Sequence, residues 1–94
     1  MSVPRWLVAV DVAPARTQAR VRRTLLDLGF EETLPFVFVD RWTPPERREL
    51  IRALRGAYRG GAGRILVARL AARSPPVVIP ERGSRAPAGG RVRR

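Results

Sequence analysis

The stretch RWLVAVDV, residues 5–12, decides the fold. It is fenced by Pro4 and Pro14, rich in valine, and without a polar residue between Trp6 and Val10. A short apolar run of this kind is the pattern of a strand buried on both faces, and such a strand sits in the middle of its sheet. The chain then changes period. From Ala15 to Leu28 the apolar residues Val21, Leu25 and Leu28 recur at helical spacing, Arg16, Arg20 and Arg23 fall on the other side, and Gly29 supplies the stop, which predicts an amphipathic helix with a basic outer face.

Working outward, residues 31–40 (EETLPFVFVD) form a second extended region, and Pro35, which cannot donate to a ladder, divides it into two short strands joined by a bend or bulge. TPPE at residues 43–46 announces the next helix: Thr43 as cap, Pro44 at the first helical position, and Glu46 reaching back to close a capping box. Its apolar stripe is Leu50, Ile51, Leu54, Ala57 and Tyr58. RGGAG at 59–63 is a turn, lacking the lysine and hydroxyl of a phosphate loop, and RILVARLA at 64–71 is a further strand. PPVVIP at 75–80 reads as a very short edge strand.

The order strand, helix, strand, strand, helix, strand predicts an α+β, ferredoxin-like βαββαβ domain over residues 1–80, with both helices on one face of an antiparallel sheet. The other face carries apolar residues from both long strands and needs a cover, which a second copy about a twofold axis supplies, so a symmetric homodimer is expected. Residues 81–94, rich in glycine, proline and arginine, read as a disordered basic tail.

Composition bounds the chemistry. The 94 residues suit one domain, and they contain neither cysteine nor histidine. Disulfides, thiolate zinc sites and imidazole bases are therefore excluded, and any catalysis here is carboxylate chemistry. No run is long enough to span a membrane and the first residues lack a basic region followed by an apolar one, so a cytoplasmic protein is expected. All 19 basic residues are arginines, against 8 acids, for a net charge of +11. Removing residues 81–94 leaves 14 arginines and 7 acids, so the folded part is itself basic and a polyanionic partner is expected.

Asp11 closes the first strand, where side chains reach a surface crevice. An acid there either caps the following helix across VAPA or contacts a ligand. In a dimer it brings two carboxylates to one place, and magnesium needs only one or two when waters and phosphate oxygens complete its octahedron. Asp40, Glu31 and Glu32 are further carboxylates, read as a turn acid and solvated edge residues. Arg16, Arg20 and Arg23 are the candidates for phosphate contact. Arg47, Arg48, Arg52 and Arg55 rank below them, because Glu46 and Glu49 on the same helix are placed to pair with them. Trp6 and Trp42 read as packing residues rather than base-stacking ones.

In order and spacing, VAVDV, the basic helix carrying Val21, Leu25 and Gly29, FVFVD before a proline-initiated helix, and GRILVARLA resemble the CRISPR-associated Cas-two family, the small dimeric subunit of spacer acquisition. The resemblance covers residues 5–80. It implies a ferredoxin-like homodimer whose last strand joins the partner's sheet edge, with Asp11 near the twofold axis as the magnesium ligand and catalytic residue of a metal-dependent endonuclease acting on RNA or DNA. It equally implies a bridge that holds a CRISPR integrase subunit on duplex DNA without catalysis. The chain departs from the family at Val10, where an aromatic is usual, in the loop APA at 13–15, and at FVFV, residues 36–39, where a serine and a glutamate are usual; Phe38 matches. Those departures fall on polar groups around the metal position and leave the hydrophobic pattern intact. A third reading is an unrelated ferredoxin-like RNA-binding protein or toxin-type ribonuclease, since one scaffold hosts many functions.

Overall fold

Four strands and two helices follow one another in the computed structural model: β1 (Arg5–Ala13), α1 (Ala15–Asp27), β2 (Phe30–Leu34), β3 (Val37–Asp40), α2 (Arg47–Tyr58) and β4 (Ala62–Leu70). The structure describes residues 5–41 and 44–70, with Val77 and Ile79. The strands form one antiparallel sheet in the order β2-β3-β1-β4, so the chain is a small α+β protein whose strand order and connectivity are compatible with a ferredoxin-like fold. Of the edge strand expected over 75–80, only Val77 and Ile79 are described; both are exposed and outside any strand. The tail at 81–94, Trp42 and Thr43 lie outside the described residues.

β1 is central, as its composition demands, and its alternation sorts the two faces. Trp6, Val8, Val10 and Val12 are buried and join Val21, Leu25, Phe30, Phe38, Leu50, Leu54 and Ala57 in the core beneath the helices. Leu7 and Ala9 point the other way and are only partly buried in the single chain. Among the described residues the strand is therefore covered on one face by its own helices and left open on the other.

Pro35 and Phe36 make the turn between β2 and β3, with Phe36 at φ 61. A non-glycine residue in that region costs roughly 1–2 kcal/mol. Three contacts offset it: the Phe36 N–H donates to Glu32 Oε2 at 2.8 Å, its carbonyl accepts from the Val10 N–H at 2.8 Å, and its ring packs on the core. Glu32 Oε1 accepts from Arg22 Nε at 2.6 Å, which ties the turn to α1. The Phe36 N–H and then the Arg22 guanidinium hold the Glu32 carboxyl below the ordinary value of 4.5. A depressed folded-state pKa gives stability that is present above pH 4.5 and is lost as the pH falls through the folded value. Glu32→Gln is accordingly expected to lower unfolding free energy by about 1–2 kcal/mol at neutral pH. In urea denaturation the gap from wild type should close in acid; a gap that stays constant would show that the carboxylate charge does not hold the turn.

α2 begins later than its capping signature suggests. Pro44 and Pro45 precede the helix, Glu46 is its N-cap, and no side chain caps it. The reason is local: a residue before proline is driven out of the helical region, so Pro44 cannot open a helix with Pro45 behind it. The Pro45 carbonyl instead accepts from the Trp6 indole N–H at 3.0 Å, and the Trp6 ring is buried with the Arg69 guanidinium 5.9 Å from its centroid. At the other end of α2, Gly63 sits at φ +97 beside Asp11 and receives the Tyr58 hydroxyl on its carbonyl at 2.8 Å. Among the described residues no helix is long and apolar enough to cross a membrane.

Candidate nucleic-acid interface

Asp11 stands exposed near the end of β1 on the face the helices leave open. The antiparallel register sets Arg64 of β4 directly opposite it, without a salt bridge between them. It does not cap α1: Pro14 holds the N-cap position with no side-chain hydrogen bond. Leu7, Ala9, Val37, Leu66 and Ala68 share its face by alternation, and Leu66, opposite Ala9, is 60% exposed. An acid, an arginine and an apolar patch thus lie together on one uncovered sheet surface.

The other carboxylates considered, Asp40, Glu31 and Glu32, are elsewhere and engaged. Asp40 is 1% exposed; its Oδ1 accepts from the Trp6 N–H at 2.8 Å and lies 3.9 Å from Arg5 Nε, while Arg5 donates to the Asp40 carbonyl at 2.8 Å. This acid closes the β1–β3 ladder at the end opposite Asp11, about 17 Å along the strand at ~3.4 Å per residue. Glu32 serves the turn, and Glu31 Oε1 lies 4.0 Å from Arg41. Among the described residues no three acids gather into a metal site. One chain therefore offers a magnesium ion a single carboxylate, Asp11, with a cation across the ladder, and a second carboxylate would come from a second copy. A cleft of about 390 Å³ between α2 and β4, lined by Ile51, Leu54, Ile65 and Val67 with Arg55 and Arg64, carries no carboxylate and offers no alternative.

The three arginines singled out on α1 divide. Arg16 and Arg23 are exposed, with no side-chain hydrogen bond or ion pair among the described residues. Arg20 is engaged internally: its Nε donates to the Ala57 carbonyl at 2.9 Å and its Nη2 to the Arg59 carbonyl at 2.9 Å, satisfying carbonyls left free at the end of α2. Its charge also sits at the negative end of that helix. Arg22, which the pattern did not single out, is taken by Glu32.

On α2 the expected ion pairs do not form. Arg48, Arg52 and Arg55 are exposed, and none pairs with Glu46 or Glu49. These arginines and Arg64 are thus further exposed cations without an ion pair among the described residues, beside Arg16 and Arg23. The helical spacing was a usable signal for α2, whereas Arg64 is placed by a strand register that no local pattern reveals. Comparison of the chain with family models, with curated proteins and with solved structures finds no match.

Proposed function

We propose that the chain is a dimeric, ferredoxin-like nucleic-acid-binding protein of the Cas-two kind, acting in CRISPR spacer acquisition as an adapter between an integrase subunit and duplex DNA. The observation that carries this reading is the division of the molecule into two surfaces. One is a helix layer in which Arg16, Arg23, Arg48, Arg52 and Arg55 are exposed without partners among the described residues; the other is an apolar sheet face with Asp11 and Arg64 at one end. A patch carrying both charge signs beside an apolar centre is suited to pairing with itself, because a twofold axis can set Asp11 of one copy towards Arg64 of the other. The basic helix layers then face outward, away from the contact, where phosphates are accessible.

A second reading, magnesium-dependent endonuclease acting on RNA or DNA, is favoured by one observation: the Asp11 side chain is exposed on the sheet face opposite the helices and uncommitted among the described residues. Magnesium bound there would polarise a phosphodiester and lower the pKa of a bound water. The two readings separate on labelled single-stranded RNA and duplex DNA, each with and without magnesium. On the adapter reading, wild type and Asp11→Asn bind alike and neither cleaves above background. Magnesium-dependent cleavage by the wild type alone, with the variant still dimeric, would overturn that reading and make Asp11 the metal ligand.

A further inference from the structure

The outward side of α2 carries four arginines in one row. Arg48, Arg52 and Arg55 stand at i, i+4 and i+7, and Arg59 follows at the C-cap, on the side opposite Leu50, Leu54 and Ala57. At ~1.5 Å per residue the row is about 16 Å long. All four are exposed, and no side chain among the described residues pairs with them, although Glu46 and Glu49 lie in the same segment. Like charges three and four residues apart each destabilise a helix by a few tenths of a kcal/mol. The C-terminal dipole compensates Arg55 and Arg59 and does nothing for Arg48 and Arg52. Two neighbouring cations of the same layer are withdrawn, Arg20 onto the end of α2 and Arg22 onto Glu32, so charge remains available along the row itself.

A line of unpartnered guanidinium groups matches a polyanion with regularly repeated charges. Among the described residues no aromatic is presented beside it: Trp6, Phe30 and Phe38 are buried, Phe36 packs on the core, and the Tyr58 hydroxyl is held by the Gly63 carbonyl. Single-strand binders add aromatic stacking to their basic groove, whereas contact through arginine alone positions a backbone without reading bases. We infer that the row from Arg48 to Arg59 is the phosphate-backbone track for duplex nucleic acid, with Arg16 and Arg23 of α1 as secondary contacts. This rests on the nucleic-acid-binding reading above and moves its principal contacts from α1 to α2.

The test titrates the full-length protein onto a labelled mixed-sequence DNA duplex across a salt series. Replacing Arg48, Arg52 and Arg55 together by glutamine keeps good helix formers at those positions and is expected to reduce the slope of log K against log salt by about 3. Arg52→Gln alone is expected to reduce it by about 1, and carries the test if the triple variant loses its helical circular dichroism. A wild type that binds the duplex with a slope unchanged in the folded variants overturns the row and leaves nucleic-acid binding standing. A wild type that binds no duplex overturns both.

Discussion

Gly63→Ala is expected to destabilise the protein by about 3 kcal/mol or more, among the larger effects of a single methyl group. Two costs coincide there. Gly63 holds φ +97, which side-chain-bearing residues rarely adopt, and a Cβ would overlap the carbonyl oxygen of Asp11 and approach Val12 Cα to 2.9 Å. Those are backbone atoms of the central strand, which cannot swing aside as a flexible side chain would. Relief requires β4 to separate from β1 where Asp11 faces Arg64. Gly29 provides the internal control: its φ of +94 is similar, yet nothing lies within 4 Å of its added Cβ. Gly29→Ala should therefore incur only the conformational part, roughly 1–2 kcal/mol. Urea denaturation of both variants measures the difference, and equal costs would contradict the close approach of β4 to Asp11.

If the open sheet face forms the proposed dimer, Leu66→Asp is expected to leave a monomer while the fold of each chain is nearly untouched. Leu66 is 60% exposed in the single chain, so little intramolecular burial is lost, and surface changes of this sort usually stay within about 0.5 kcal/mol. In the proposed dimer the same side chain lies near the middle of the apolar face, between Ala68 and Arg64, the ladder partners of Leu7 and Asp11. An unpaired carboxylate buried there is penalised heavily, because its hydration is lost without a compensating partner. Leu26→Asp on the outer side of α1, where the leucine is 38% exposed, is expected to leave the mass unchanged. Light scattering after size exclusion reads both variants. A dimer that persists in Leu66→Asp would place the contact elsewhere on the molecule.

Most of the architecture was legible because the signals that specify it are local. The valine-rich run of β1, the spacing of Val21 and Leu25 ahead of Gly29, the break at Pro35 and the apolar stripe of α2 each declare an element within a dozen residues. The start of α2 was misread because Thr43 and Glu46 match a capping box while Pro44 and Pro45 between them forbid the first turn. The site was less legible, because its decisive contacts join distant segments. Arg20 looked like any exposed helix arginine, and only the packing of α1 on α2 brings it to the Ala57 and Arg59 carbonyls. Asp11 and Arg64 are 53 positions apart and meet only through the β1–β4 register. Glu46 and Glu49 were spaced to neutralise α2, yet spacing permits an ion pair without enforcing it, and exposed pairs bring at most about 1 kcal/mol.

Sedimentation velocity of the wild-type chain, alone and then with a labelled mixed-sequence duplex, addresses dimerisation and nucleic-acid binding together. The expected result is a species with the mass of two chains that carries the duplex with it at low salt and releases it as salt is raised, equally for unrelated sequences. A monomer that leaves the duplex sedimenting free at every salt concentration would contradict both the self-pairing sheet face and the basic helix layer.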